Sequence, residues 1–238
     1  VIGSKLRSPL VLSLFSGLGI LDEGFRREGW CVVSAGDVCW GALHDIRRFH
    51  PPPGVFDGVC FGDPCQSFSG YANLLRSKGM TTRFGDLSKE ALRVVREAQP
   101  RWFLRENIVK ARPLKLEGYA ISDFTLDNAD LGAEQERLRR FWFGVRGRDP
   151  RRSFLPGGQK IVDQLRRGEI QQARRDASVR TRVSMAQMLR AQGLPTDFFR
   201  HSPFTAQGQH RLLGNAVALP VAVALARAVV ESLEGSST

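Results

Sequence analysis

The run Pro9-Leu10-Val11-Leu12-Ser13-Leu14-Phe15 is almost continuously apolar, and Ser16-Gly17-Leu18-Gly19 and a helically spaced segment, Ile20–Glu28, follow it. A strand with apolar residues on both faces belongs inside a parallel sheet covered by helices, because only there are both faces buried. The glycines turn the chain, and Asp22 and Glu23 occupy the first turn of the helix, where acids complement its dipole. Strand, glycine turn and helix form the opening of a nucleotide-binding βαβ unit, in which a ligand approaches the backbone beside a helix N-terminus. Trp30-Cys31-Val32-Val33-Ser34-Ala35 predicts a second strand, ending in Gly36-Asp37. An acid there either takes the ribose hydroxyls of an adenosine cofactor or simply forms the turn. The pattern predicts an α/β fold with a doubly wound, mostly parallel sheet.

Two further strand ends carry chemistry. Val55–Phe61 predicts a short buried strand that Gly62 and Pro64 stop, so that Cys65 stands at a turn beyond a strand end. Reacting groups collect at such ends in open α/β sheets, and a thiol there is a nucleophile if something accepts its proton. Leu87–Ala98 has helical spacing and ends before Pro100, after which Arg101–Arg105 predicts a strand leading to Glu106-Asn107. A carboxylate at that strand end is placed to face the thiol. Tyr119–Leu126 and Arg140–Val145 predict two more strands. Between them, Gln135, Arg137 and Arg139 project to one side if the chain is extended, an arrangement that calls for an anion or an electron-rich oxygen.

The 238 residues suffice for one substantial core, and the formal charge of +11 is carried mostly by arginine, often doubled. Such an excess favours a polyanionic partner, and guanidinium groups suit phosphate geometry. The four cysteines (Cys31, Cys39, Cys60, Cys65) form no C-x-x-C pair and have no ligand-spaced histidines, so no metal site is expected and the thiols read as reduced and intracellular. The apolar runs Pro9–Leu21 and Ala216–Val230 read as buried core; the second is too short for a membrane span and carries Pro220 and Arg227.

Collected in order, these residues resemble the cytosine-C5 DNA methyltransferases. Leu14-Phe15-Ser16-Gly17-Leu18-Gly19 resembles their S-adenosylmethionine loop, Pro64-Cys65-Gln66 with Phe68-Ser69 the nucleophile motif, and Glu106-Asn107-Ile108 the glutamate motif. Gln135-x-Arg137-x-Arg139 is similar to the Q-x-R-x-R motif, Gln192-Gly193-Leu194-Pro195 to the re-entry into the catalytic domain, and Gly214-Asn215-Ala216-Val217 to the final cofactor motif.

The resemblance implies methyl transfer to cytosine C5 in double-stranded DNA, with Cys65, Glu106, Arg137 and Arg139 as the catalytic set. It implies S-adenosylmethionine as cofactor, held by Phe15, Ser16, Gly17, Leu18, Gly19, Asp37, Val38, Asp45, Pro64, Asn215 and Val217. DNA contacts are expected from Gln66, Ser67, Ser69, Gln135, Arg151, Arg152, Arg166 and Arg167. The expected division is a catalytic domain over 1–146 and 183–235, with a small arginine-rich recognition insert over 147–182. A monomer without membrane attachment is expected, cytoplasmic if bacterial or phage-encoded and otherwise intracellular with access to DNA, although an accessory protein could supply specificity. The alternatives are an RNA cytosine methyltransferase and a non-catalytic DNA-binding relative.

Three departures from the family pattern carry expectations. Asp63 stands where an apolar residue or proline is usual, and an anion beside Cys65 should oppose thiolate formation. The stretch from Asp37 to Asp45 is too short for the usual connecting helix, which leaves Asp45 insecure as an adenine ligand. The segment between the arginine motif and Gln192, the family's target-recognition region, is short.

Overall fold

A computed structural model describes residues 8–64, 86–131, 136–147 and 184–234. The chain packs as two compact units, one of Val1–Ser16, Gly29–Thr125 and Arg139–Leu155, the other of Gly17–Glu28, Leu126–Leu138 and Pro156–Thr238. Of the expected insert only Gly147 is described; the lobe itself, with a helix expected around Ile161–Arg175, lies outside the described residues.

The first unit is built on a six-stranded sheet. Its strands are β1 (Leu10–Leu14), β2 (Cys31–Ala35), β3 (Gly58–Phe61), β4 (Trp102–Asn107), β5 (Tyr119–Asp127) and β6 (Leu138–Arg146), in the order β2-β1-β3-β4-β6-β5. The first four run parallel and β6 runs antiparallel to β4, so the sheet is mostly parallel, as the sequence predicts. Val11 and Leu12 of β1 are fully buried, which explains its unbroken apolar run. β2 is the edge strand, and Val33 there is largely exposed.

Helix α2 (Ser88–Ala98) lays Ala91, Val94, Val95 and Ala98 into a core shared with Leu12, Leu14, Val59, Phe61 and Phe103. It closes at Gln99 in the left-handed region (φ 50), immediately before Pro100, which cannot continue a helix. Because β1 lies between β2 and β3, the order of connection reverses at β1, and ligands bind α/β sheets at such a switch point. The register aligns Leu14 with both Ala35 and Phe61, and Phe61 with Arg105. The turns that follow β1, β2 and β3 therefore leave the sheet along one edge.

The second unit is helical: α1 (Ile20–Arg27), α3 (Met185–Ala191), α4 (Ala206–Asn215) and α5 (Leu219–Glu234), with a 3-10 turn at Asn128–Leu131. Ile20, Leu189, Leu194, Leu213 and Leu219 form its core. α1 and α5 pack closely, because Gly24 presents no side chain: a Cβ there would lie 2.4 Å from the backbone of Ala222. Alanine is the better helix former by about 1 kcal/mol at an open position. At this crossing Gly24→Ala is instead expected to destabilise by about 1–3 kcal/mol, the range for overpacking, and thermal unfolding would show the sign. No single helix among the described residues is long and apolar enough to cross a membrane.

Candidate active site

In the first unit, β3 exits through Gly62-Asp63-Pro64 and β4 carries Arg105, Glu106 and Asn107 beside it. Glu106 lies within β4 rather than beyond its end, because β4 runs two residues further than expected and pairs with β6 through Glu106–Phe141 and Asn107–Arg140. Arg139 is two residues from Phe141, so it shares the face of Glu106 as its diagonal neighbour. Its Nε donates to Glu106 Oε1 at 2.9 Å, and the two side chains are only 20% and 12% exposed. A Cβ on Gly62 would stand 3.1 Å from Glu106 Oε2, so the missing side chain leaves room for the carboxylate against the chain leaving β3.

The structure gives Asp63 a cationic partner. Its carboxylate is buried and paired bidentately with Arg105, Nε to Oδ1 at 2.6 Å and Nη2 to Oδ2 at 2.8 Å. Arg105 also donates to the Arg112 carbonyl (2.9 Å) and lies over the Trp142 ring, 4.6 Å from its centroid. Asp63 is thus an anion already matched by a cation rather than an uncompensated charge. Asn107 completes the arrangement by donating from Nδ2 to the Asp63 carbonyl at 2.9 Å. Sequence reasoning missed Arg105 and this role of Asn107. The signal available was a charged residue closing the apolar run Trp102–Leu104, with an acid at the end of the preceding strand.

The cofactor candidates of this unit lie on neighbouring turns. Phe15 follows β1 with φ 54, a left-handed conformation that a bulky residue adopts only under constraint, and such strain gathers at binding sites. Asp37 follows β2; it is buried and accepts from the Cys39 amide at 2.9 Å, capping a 3-10 turn over Val38–Trp40. The turn-forming role therefore holds, and Val38 beside it is exposed. Two more 3-10 turns, Ala42–His44 and Ile46–Arg48, stand where a connecting helix was expected to be missing. Asp45 caps the last of these and is engaged by Arg47, whose hydrogen bonds hold the Asp45 carboxyl below its ordinary value. Pro64 and Ser16 are half-buried.

In the second unit Gly17 (φ 53) and Gly19 (φ 69) take left-handed turns around Leu18, and a Cβ on Gly17 would meet nothing within 4 Å. Glycine is required there by backbone conformation rather than by crowding. Asn215 is the exposed last residue of α4, and Val217 is buried in the link to α5. Arg137 is held through its main chain. Its amide donates to Asp127 Oδ1 (2.8 Å) and its carbonyl accepts from the Asn128 amide (3.3 Å), so it is fixed on the turn after β5 and precedes β6. Its guanidinium donates to the Gly214 carbonyl, next to Asn215, whereas that of Arg139 pairs with Glu106. Cys65, Gln66, Ser67, Ser69, Gln135, Arg151, Arg152, Arg166 and Arg167 lie outside the described residues. Among the described residues no group of His, Cys, Asp and Glu is arranged to hold a metal ion.

The model of the C-5 cytosine-specific DNA methylase family matches residues 10–177, well over half of the chain. The chain belongs to this family. The methylase chain is 31% identical over 183 residues to the type II methyltransferase M.NgoPII of Neisseria gonorrhoeae, covering 64% of this chain and 52% of that protein. It is 32% identical over 163 residues to M.FnuDI of Fusobacterium nucleatum, covering 57% and 46%. It thus spans about half the length of these curated relatives. Among solved structures, the S. pombe Dnmt2 methyltransferase superposes with a TM-score of 0.65 at 12% identity, covering 94% of this chain and 99% of that one. A DNA modification methyltransferase encoded within an E. coli prophage gives 0.61 at 18%, covering 95% and 100%. At these identities the likeness establishes the Rossmann-like methyltransferase fold.

Proposed function

We propose that this methylase chain transfers a methyl group from S-adenosylmethionine to C5 of cytosine in double-stranded DNA, with Cys65 as nucleophile. The observation that carries the reading is the Glu106–Arg139 pair against the chain that leaves β3 toward Pro64-Cys65-Gln66. Cytosine C5 is a poor nucleophile until something adds to C6, and a thiolate is suited to that addition. Addition of the Cys65 sulfur pushes electrons onto N3 and O2. Glu106, in its protonated form, donates to N3, and Arg139 donates to O2, so both ends of the pair serve the charge that develops. In the free protein the two side chains satisfy each other; the entering base takes over part of that hydrogen bonding.

The residues fit an adenosyl cofactor in kind. Phe15 and Ser16 leave β1 and Asp37 leaves β2 at aligned positions, a strained turn beside a buried carboxylate. With Gly17, Leu18, Gly19, Val38, Pro64, Asn215 and Val217 they would hold it, whereas Asp45 is committed to Arg47 and is the weakest member of the set. When bound, the cofactor supplies an electrophilic sulfonium methyl. After methylation, loss of the C5 proton to a base, which a water molecule can provide, expels the Cys65 sulfur and restores the ring. A base stacked in a duplex cannot reach such a site, so the cytosine must be flipped out.

The arginines of 147–182 supply phosphate contacts, which give affinity and register but not sequence. A segment so short presents few side chains to base edges, so a recognition sequence of roughly two to four base pairs and strong salt dependence follow. The bacterial origin of the named curated relatives favours action on DNA in the cytoplasm. The test is incubation with methyl-labelled S-adenosylmethionine and a random-sequence duplex library, followed by nucleoside digestion and bisulfite mapping. Label in 5-methylcytosine supports the reading; label in another base, or only in RNA supplied in parallel, opposes it.

A further inference from the structure

The segment that stands in place of the missing helix, residues 38–49, is built of three short 3-10 turns. Its turns are closed by short backbone hydrogen bonds, each spanning three residues: Trp40 to Asp37, Gly41 to Val38, His44 to Gly41, Arg48 to Asp45 and Phe49 to Ile46. Short 3-10 turns of this kind hold poorly by themselves. Ile46 and Arg93 pin the segment. Ile46 is buried in the sheet core, where it packs on the turn before Asp37: a Cβ on Gly36 would lie 3.2 Å from the Ile46 side chain. Arg93 of α2 reaches across to donate to the Ile46 carbonyl through Nη2 at 2.7 Å and to the Phe49 carbonyl through Nη1 at 3.1 Å.

Arg93 is itself fixed. Its Nε donates to Glu90 (2.8 Å) and its Nη1 to Glu97 (2.8 Å), within reach of His50 Nδ1 (3.1 Å). Burial alone would raise the Glu97 carboxyl; hydrogen bonds from Arg93 and His50 hold it below its ordinary value. A guanidinium clamped by two carboxylates from its own helix has lost its rotamer freedom already, so little more is lost in bonding two carbonyls.

We propose that Arg93 is a positioning residue for the cofactor: through Ile46 and Gly36 it holds the Asp37 turn in the conformation that binds. This rests on the reading of the chain as an S-adenosylmethionine-dependent enzyme. Arg93 touches no reacting group, and its effect falls on cofactor affinity rather than on the chemical step. A turn that must be ordered before binding weakens affinity by the fraction of time it is disordered.

The test is calorimetric titration of S-adenosylhomocysteine into wild type, Arg93→Met, Arg93→Lys and Arg96→Met. The last removes the same charge from an exposed position on the same helix. Arg93→Met is expected to bind about 10- to 100-fold more weakly, the loss of two charge-assisted hydrogen bonds from a pre-organised turn. Arg93→Lys, able to serve one carbonyl, should fall between, and Arg96→Met should match wild type. The KM for cofactor should rise with kcat at saturation changed less than twofold, and faster hydrogen exchange should be confined to 38–49. A purely structural role would lower the melting temperature and leave the affinity of the folded variant unchanged, which would overturn the proposal; should Arg93→Met fail to fold, Arg93→Lys decides by the same comparison. Wild-type protein that binds no S-adenosylhomocysteine overturns the functional reading itself, whereas wild-type binding with unaltered Arg93 variants overturns only this inference.

Discussion

Asp63→Ala is expected to destabilise the protein by about 3–5 kcal/mol, the cost of removing one partner from a buried ion pair. Arg105 would keep its hydrogen bond to the Arg112 carbonyl and its place over Trp142, yet its charge would stand uncompensated at 1% exposure. For a chain of this length, 1 kcal/mol corresponds to roughly 2–4 °C in Tm, so a fall of about 6–20 °C in thermal unfolding is expected. Arg105→Met should cost a similar amount, because it leaves the Asp63 carboxylate buried without its counter-ion. The double variant Asp63→Leu with Arg105→Met is expected to lose clearly less than the sum of the single losses, since neither charge is then stranded. Additive losses would show that the two side chains act independently, against the bidentate geometry.

Glu106→Ala should lower the rate of methyl transfer by about 10²–10⁴-fold, the contribution of a positioned acid. DNA affinity should change far less. Stability should fall by about 1–3 kcal/mol as well, because the pair is largely buried and Arg139 loses this partner. Glu106→Gln keeps a donor for N3 but cannot deliver a proton, so it should retain part of the rate lost in the alanine variant. Single-turnover assays at saturating DNA and cofactor separate these effects. Unchanged turnover in Glu106→Ala would remove the carboxylate from the mechanism.

Those two residues mark where the sequence was legible and where it was not. The opening strand, glycine turn and helix were readable because burial on both faces leaves an unbroken apolar run and a helix leaves a period. The same logic placed α2, with its apolar positions at Ala91, Val94, Val95 and Ala98. The loss of the helix after β2 was readable from chain length alone. What replaced it was not, because Arg93 binds backbone carbonyls, and backbone acceptors leave no trace in residue identity. The Asp63–Arg105 pair was hidden for a related reason: 42 residues separate its members, and only strand register brings them together. α4 was missed because its sequence carries Gly208 and Gly214 and little apolar periodicity, although Thr205 does cap it. α3 had a readable start, since Ser184 and Gln187 form a capping box.

Among the candidate residues, those beside the sheet were placed by strand ends, which pattern reveals. β6 starts at Leu138, two residues before the strand expected from Arg140, because pairing with β4 and not apolar pattern alone sets its length.

The central claim is that Cys65 attacks cytosine C6 in a pocket completed by Glu106 and Arg139. Its most direct test is covalent trapping on a duplex carrying 5-fluorocytosine, in which the C5 fluorine cannot leave as a proton and the adduct cannot resolve. With S-adenosylmethionine present, the wild-type protein is expected to form a denaturant-stable protein–DNA adduct whose peptide map places the base on Cys65, and Cys65→Ala is expected to form none. An adduct that persists in Cys65→Ala, or one mapped to another residue, would contradict the account.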